Sequence, residues 1–277
     1  MSGSAAETTA APAAPTRLAA VRAEGLEMTF GVGERAVHAL GPLDLEVGEG
    51  EFVCLVGPSG CGKSTFVKIA AGLLEPTAGR MRLRFRDDTV ARTATVFQDY
   101  GIFPWKTVEG NVQLALRARG IPAQEARERS RVWLRKLGLE AFARSYPHQL
   151  SGGMRQRVAI ARALVVEPEL LLMDEPFAAL DAQLREILQE ELLALHQSTG
   201  GTVVFVTHSL EEAILLGDRV VVMSRRPGTI RDDTVVPFPR PRASDLRETA
   251  EFGALRSRLW DHLRREVTAQ IAGTEAR

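Results

Sequence analysis

The motif GPSGCGKST, Gly57 to Thr65, is the most informative part of this sequence. It begins at the last residue of the apolar run EFVCLVG (residues 51–57) and leads into the helical pattern STFVKIAAGLL (residues 64–74). It therefore matches G-x-x-x-x-G-K-[ST] in the strand-to-helix context that this motif requires. The backbone N–H groups of such a loop cradle phosphates, its lysine reaches the β and γ phosphates, and its hydroxyl binds Mg²⁺. The sequence therefore predicts a nucleotide site with Lys63 on the phosphates and Ser64 on the metal. Its residues are Gly57, Pro58, Ser59, Gly60, Cys61, Gly62, Lys63, Ser64 and Thr65.

The pattern around this loop predicts an α/β fold with a P-loop NTPase core. The apolar runs LLLMDE (170–175), TVVFVTH (202–208) and RVVVMSR (219–225) alternate with helical patterns, which favours a buried, mostly parallel sheet. Upstream, short runs such as GLEMTF and LDLEV predict an antiparallel β region on the N-terminal side. From about residue 107 to 165 the pattern changes to charged amphipathic helices, which predicts a helical subdomain.

The two ends of the chain have different compositions. Residues 1–20 are biased toward Ala, Thr and Pro, without the basic start and apolar segment of a secretory signal, and we expect a disordered tail. Residues 243–277 predict an amphipathic helix. Its apolar side chains are expected to pack on the core rather than to bind a partner; they are Phe252, Leu255, Leu259 and Leu263.

Charge and composition exclude several classes of protein. The chain has 277 residues with 35 basic and 35 acidic side chains, so it lacks the basic surface that nucleic-acid binding normally requires, and we expect no nucleic-acid partner. No apolar stretch approaches the roughly 20 residues that span a bilayer. Cys54 and Cys61 are too few for a disulfide framework or a zinc site, and we interpret both as reduced packing residues.

Two acidic residues follow the apolar strand LLLMDEP. Asp174 and Glu175 stand at its carboxyl end, where the crevice of an open α/β sheet lies. Adjacent side chains of a strand point to opposite faces, so the two carboxylates should have different tasks. We predict that Asp174 belongs to the Mg²⁺ shell and that Glu175 is the general base that activates the attacking water.

His208 and Gln98 end the neighbouring runs TVVFVTH and TATVFQ. A histidine at a strand end is often only a cap, and an amide there can simply bond to the next loop. Because parallel strands that end together converge on one crevice, a catalytic interpretation stays open for both. His208 could hold the γ-phosphate, and Gln98 the metal or the water.

A second anion site is predicted within YPHQLSGGMRQRVAIARAL, Tyr146 to Leu164. A helix opened by Ser151, Gly152 and Gly153 presents unpaired N–H groups and the positive end of its dipole. One phosphate loop already wraps a nucleotide in this chain, so a second anion site needs an explanation.

Together, GPSGCGKST, Gln98, LSGGMRQR, LLLMDEP, FAALD and His208 resemble the ATP-binding cassette family of transporter ATPases over about Gly25 to Arg226, and we assign residues 21–242 to the nucleotide-binding domain of that family. The resemblance implies ATP and Mg²⁺ as cofactors, with Ser64, Gln98 and Asp174 as metal ligands. It also implies that Ser151, Gly152 and Gly153 bind the γ-phosphate held by a second copy of the chain, which would give the second anion site its use. Phe30 would stack on adenine, and Asp181 would cross the dimer interface.

Within the family, VFQDYGIFPWKTVEGNV and SRRPGTI resemble importer subunits for nitrate, taurine and other sulfonates. This implies a peripheral protein on the cytoplasmic face of the plasma membrane that drives a permease and, indirectly, serves a solute-binding protein. FPW (103–105) would be the permease docking region, although an aromatic pair can also be core. An exporter ATPase, and a soluble ATPase of DNA repair or translation, are the alternatives. Ser209 stands where the family often has an acid.

Overall fold

A six-stranded sheet is the centre of the computed structural model, which describes residues 18–86, 93–242 and 244–275. Its strand order is β5-β6-β7-β3-β8-β9, and every neighbouring pair is parallel except β8 with β9. The α/β fold with a mostly parallel sheet is thus confirmed. The strands are β3 Phe52–Val56, β5 Thr93–Val96, β6 Leu170–Asp174, β7 Thr202–Val206, β8 Arg219–Met223 and β9 Ile230–Val235.

Strand β9 was not predicted from the sequence. Its residues IRDDTV are largely polar and partly exposed, because β9 is an edge strand that buries little.

A three-stranded antiparallel sheet, order β2-β1-β4, forms the N-terminal side; its strands are β1 Ala19–Phe30, β2 Val37–Gly48 and β4 Ala78–Leu83. The predicted tail of residues 1–20 extends too far. Ala19 already pairs with Gly48, and the N–H of Glu49 donates to the carbonyl of Leu18 at 2.8 Å. Residues 1–17 lie outside the described residues.

The buried strands of the large sheet contact a different layer on each face. Cys54 and Met173 point into the core shared with the helices, whereas Leu55 and Leu172 point into the core shared with the antiparallel sheet. This alternation follows from the two-residue period of a strand, and it explains why these runs are apolar throughout. Cys54 and Cys61 are buried free thiols, as predicted.

The helices complete the layers. They are α1 Lys63–Ala70, α2 Val108–Arg117, α3 Ala123–Lys136, α4 Gly152–Leu164, α5 Ala182–Thr199, α6 Leu210–Leu216 and α7 Ala250–Glu275. Residues 107–165 contain helices and turns but no strand, and α2, α3 and α4 pack on one another. The apolar face of α7 joins the main core through Phe252, Leu255, Leu259 and Leu263, as the packing interpretation predicted. Among the described helices, none is both long and apolar enough to cross a membrane.

Candidate functional site

The phosphate loop connects β3 to α1 near the middle of the large sheet, because β3 pairs with β7 on one side and β8 on the other. Gly62 adopts a left-handed φ of 105°, and a Cβ there would lie 2.8 Å from the carbonyl oxygen of Ala39. Only glycine meets both conditions without strain. The second glycine of the motif therefore lets the loop turn tightly into α1.

Lys63 lies inside the loop rather than in solvent, with 4% of its surface exposed. Its Nζ donates to the carbonyl oxygens of Gly57 at 2.8 Å and Pro58 at 2.9 Å, and lies 3.7 Å from Sγ of Cys61. The burial of this charge is offset by these hydrogen bonds. The ammonium is thus held where it could exchange a carbonyl for a phosphate oxygen.

Gly228, which no sequence motif indicated, supports the phosphate loop from behind. Its N–H donates to the carbonyl of Ala39 at 3.2 Å, and its own carbonyl accepts from the N–H of Gly41 at 2.9 Å. A Cβ on Gly228 would lie 1.8 Å from the carbonyl oxygen of Cys61. This close approach of two backbones joins the segment SRRPGTI to the phosphate loop.

Asp174 is the buried acid of the site. It ends β6 with 2% of its surface exposed, and its Oδ1 is buried without a hydrogen-bond partner. Burial raises the pKa of this carboxyl, and the hydroxyl of Ser64 opposes that shift. The unpartnered carboxylate oxygen of Asp174 and the hydroxyl of Ser64 are together suitable ligands for a hard cation such as Mg²⁺.

Glu175 departs from the predicted geometry, because β6 ends at Asp174 and strand alternation does not orient Glu175. Its backbone takes a left-handed φ of 50°, which is costly for a non-glycine residue. Two hydrogen bonds hold it there: its N–H donates to Val206 O at 3.0 Å, and its carbonyl accepts from Nε2 of Gln156 at 3.1 Å. Tertiary contacts, rather than the pleat, set the direction of this side chain.

The structure brings His208 and Gln98 to the Glu175 carboxylate. Nε2 of His208 lies 2.5 Å from Oε1, and Nε2 of Gln98 lies 3.4 Å from Oε2. All three side chains line a cleft of about 320 Å³ in front of the phosphate loop. The expected convergence of these strand ends is therefore observed.

Other residues complete this cleft. Phe30, proposed from the resemblance as the adenine contact, forms part of its wall and is 40% exposed. The floor of the cleft is lined by residues of the phosphate loop and the start of α1: Ser59, Gly60, Gly62, Lys63, Ser64 and Thr65. Three further lining residues were not predicted from the sequence: Val37, Ala39 and Arg226. Arg226 lies far along the chain from the loop, so no local pattern indicated it.

The four residues assigned to a second copy are not brought to this cleft. Among its described lining residues, Ser151, Gly152, Gly153 and Asp181 are absent. Ser151 caps α4 by accepting from the N–H of Met154 at 3.3 Å, and Asp181 caps α5 by accepting from Leu184 at 2.9 Å. Ser151 and Asp181 are both exposed, so the starts of α4 and α5 are accessible to solvent.

The segment after Gln98 packs on α4. The guanidinium of Arg155 lies over the ring of Tyr100, and Arg162 donates to Gly101 O at 2.6 Å while its guanidinium lies over Phe103. Trp105, by contrast, is 70% exposed, so the core alternative is wrong for this side chain.

Gln156 connects α4 to the loop after β6 and was not predicted from the sequence. It is buried, donates to the carbonyl of Glu175, and accepts from the N–H of Ala179 at 3.0 Å. An amide on the apolar face of a helix was the available signal, because buried amides need partners. Ser209, the family departure, caps α6 by accepting from the N–H of Glu212 at 3.2 Å.

Comparison with known proteins identifies this arrangement. The family described as ABC transporter matches residues 40–178. An uncharacterised ABC transporter ATP-binding protein of Methanocaldococcus jannaschii is 47% identical over 91% of this chain and 94% of that protein. A taurine import ATP-binding protein of Rhizobium johnstonii is 43% identical over 87% of this chain and 92% of that protein.

A nitrate import ATP-binding protein of Synechococcus elongatus is 42% identical over 84% of this chain, although the match spans only 36% of that longer protein. Among solved structures, a dimeric ATP-binding cassette in a post-hydrolysis state bound to ADP and Pi has a TM-score of 0.72 and 34% identity, covering 79% of this chain and 100% of that one.

Proposed function

The chain belongs to the ABC transporter family and hydrolyses ATP, and we propose that it is the ATPase subunit of an importer in which two copies close on ATP and drive a separate permease. Its place would be peripheral, at the cytoplasmic face of the membrane that holds the permease. Nitrate, taurine and other sulfonates are the proposed cargo class, which the names of the import relatives support.

The proposed chemistry assigns the water-activating proton transfer to Glu175. Oε1 is bonded to His208 at 2.5 Å and Oε2 faces Gln98 at 3.4 Å, so the carboxylate has a fixed orientation at the edge of the phosphate cleft. A general base must be held within hydrogen-bonding reach of the water that it deprotonates. His208 would then orient the carboxylate and contact the γ-phosphate.

Lys63 and the loop N–H groups would bind the β and γ phosphates, and Phe30 would contact adenine. Mg²⁺ would be held by Ser64, Asp174 and Gln98, where its charge would be shared with the phosphate oxygens. The buried, unpartnered Oδ1 of Asp174 is the observation that supports the metal at this position.

One observation carries the proposal of a dimer: the exposed start of α4 and Asp181 lie outside the cleft formed by the same chain. A capped helix start with Ser151, Gly152 and Gly153 is suited to a phosphate that another molecule presents. The dimeric state of the similar cassette bound to ADP and Pi supports a second copy as that molecule.

Glu175→Gln tests the base and the dimer together. We expect ATP to bind but turnover to fall at least about a hundred-fold, the usual effect of removing a general base. Because the sandwich would then persist, light scattering with Mg·ATP should show the mass of two chains. Lys63→Ala is the control that should keep the mass of one chain. Near-normal turnover in Glu175→Gln would remove this residue from the role of base.

Import can be separated from export by reconstitution. A candidate permease and its solute-binding protein would be placed in proteoliposomes with this chain outside and the binding protein inside. Stimulation of ATP hydrolysis by the binding protein loaded with taurine or nitrate would support import. Stimulation by substrates on the ATPase side alone would favour the exporter alternative.

A further inference from the structure

A buried polar cluster lies behind His208, outside the nucleotide cleft. It consists of Thr207 on the loop after β7, Glu212 on α6 and Gln189 on α5, and all three are nearly inaccessible to solvent. Polar groups in such a place are stable only when they are bonded to one another. The cluster has no part in the chemistry described above, so its contacts need a separate explanation.

The Glu212 carboxylate is the centre of this cluster. Oε2 accepts from the hydroxyl of Thr207 at 2.5 Å, Oε1 accepts from Nε2 of Gln189 at 3.4 Å, and Nε of Arg185 lies 3.6 Å from Oε1. Burial raises the pKa of this carboxyl, and the Thr207 hydrogen bond works against that shift. Both carboxylate oxygens are thus engaged by groups from different elements.

On one side the cluster fixes the backbone around His208. The Thr207 hydroxyl accepts from the N–H of Ser209 at 3.0 Å, and the Thr207 N–H donates to Leu55 O at 3.2 Å. The residues before and after His208 are therefore both tied down. Because the imidazole lies only 2.5 Å from Glu175, a small shift of this loop would change that contact.

On the other sides the cluster reaches two further segments. Arg185 donates from Nη2 to the carbonyl of Leu180 at 3.0 Å, next to Asp181. Arg247, in the segment before α7, donates from Nη2 to Oε1 of Gln189 at 3.0 Å. The cluster thus links the loop of His208, the loop before α5 and, through Gln189, the C-terminal segment.

We propose that Glu212 is a positioning residue, which through Thr207 holds His208 in place for ATP hydrolysis, and that Arg247 connects the C-terminal segment to this function. The inference rests on the proposed role of His208 and adds a route by which the C-terminal segment influences turnover. A buried ionic group is weak evidence for stability, but it can specify one geometry, and here that geometry includes the loop of His208.

Thr207→Val and Thr207→Ser form the matched test. Valine keeps the shape but removes the hydroxyl, which leaves the Glu212 oxygen and the Ser209 N–H unpaired. We expect kcat to fall about tenfold with KM for ATP changed less than about twofold, because the contact positions the reaction and not the nucleotide. Serine retains the hydroxyl and should restore kcat to within about twofold. Equal kcat values in the two variants would overturn the inference.

The same change in a His208→Ala background shows whether Thr207 acts through the histidine. Residues that act as a unit are not additive, so Thr207→Val should cause no further loss once His208 is gone. A full additional loss would overturn the inference while leaving the role of His208 intact. Normal turnover in His208→Ala alone would instead contradict the proposed function of the histidine.

Arg247→Ala and Glu186→Ala test the C-terminal connection. Arg247 also contacts the exposed carboxylate of Glu186 at 3.1 Å, so Glu186→Ala removes that surface ion pair but keeps the bond to Gln189. We expect Arg247→Ala to lower kcat about three- to tenfold and Glu186→Ala to leave it unchanged, as is usual for exposed pairs. Equal effects of the two variants, or none in Arg247→Ala, would contradict this part of the inference.

Discussion

At the residue scale, the backbone of Glu175 shows how a carboxylate is aimed in this fold. Its left-handed φ of 50° costs on the order of 1–3 kcal/mol unless neighbouring contacts impose it. The N–H of Glu175 donates to the carbonyl of Val206, and its carbonyl accepts from the side chain of Gln156. Strand β7 and helix α4 together therefore impose this backbone conformation. The direction of the carboxylate toward His208 therefore depends on the packing of α4 as much as on the local sequence.

Gly228→Ala is expected to weaken nucleotide binding although Gly228 lies far from the motif in sequence. A methyl group there would clash with the carbonyl of Cys61 at 1.8 Å, and the phosphate loop would have to move. Displacement of several phosphate contacts should raise the Kd for ATP at least about tenfold, that is, by about 1.4 kcal/mol or more. Binding of a fluorescent ATP analogue measures this change.

Gly253→Ala is the matched control, because a Cβ at this position of α7 meets nothing within 4 Å. It should leave the Kd unchanged and stabilise the helix by roughly 0.5–1 kcal/mol. Equal Kd values for the wild type and Gly228→Ala would show that the loop does not depend on this backbone contact.

The residues that could be predicted from sequence are those whose chemistry is local. The phosphate loop, Asp174 and His208 stand at strand ends within short motifs, so their positions followed from the order of strands and helices. Gly228, Gln156 and Glu212 could not be found this way, because each matters through a partner on another element. Asp174 and Glu175 show the limit of prediction from sequence. The two adjacent acids were predictable from the motif, but the end of β6 between them was not.

At the element scale, α7 attaches the C-terminal residues to the core. We expect Leu259→Ala to lower the free energy of unfolding by about 2–5 kcal/mol, because the side chain is fully buried in the main core cluster. Urea denaturation followed by circular dichroism measures this loss. Arg264→Ala, which removes an exposed ion pair with Asp261 on the same helix face, should change stability by less than about 0.5 kcal/mol. Equal midpoints for the two variants would mean that α7 is not part of the cooperative unit.

The loop after β5 is the second element whose role can be tested. Asn111 accepts from the N–H of Phe103 at 2.7 Å and donates to the carbonyl of Lys106 at 3.1 Å, which holds the backbone while Trp105 projects outward. An exposed tryptophan on a rigid loop is suited to anchor a partner. Trp105→Glu should therefore reduce co-sedimentation with permease-containing membranes at least about tenfold and leave basal ATP hydrolysis within about twofold.

Trp260→Glu provides the matched control for membrane association, because this half-exposed tryptophan lies on α7. It should co-sediment like the wild type. If Trp105→Glu loses basal hydrolysis together with membrane association, Trp105 has a structural role and the proposed docking surface is wrong.

At the scale of the whole molecule, strand order decides which residues meet. The order β5-β6-β7-β3 brings Gln98, Asp174, His208 and the phosphate loop to one edge of the sheet, since the carboxyl ends of parallel strands share an edge. The same topology directs the start of α4 away from that cleft. If the start of α4 is the second half of a phosphate site, as proposed, a single chain does not bring the two halves together.

Tethered pairs of chains test whether two copies join these halves. In the split design, Lys63→Ala is placed in one chain and Ser151→Arg in its partner. If Ser151 completes the site begun by Lys63 of the other chain, both defects fall in one site and the other site stays intact. In the combined design, one chain carries both changes and each site is damaged once.

Vanadate-trapped nucleotide per pair is the appropriate measurement, because turnover could require both sites. The split design should trap at least about ten times more nucleotide than the combined design, since an arginine in place of Ser151 blocks the helix start and Lys63→Ala removes the phosphate contact. The unmodified tethered pair sets the maximum, and a pair with Lys63→Ala in both chains sets the background. A site completed within one chain predicts the reverse ranking. More trapping in the combined design than in the split design would therefore contradict the two-copy site and, with it, the proposed use of the α4 start.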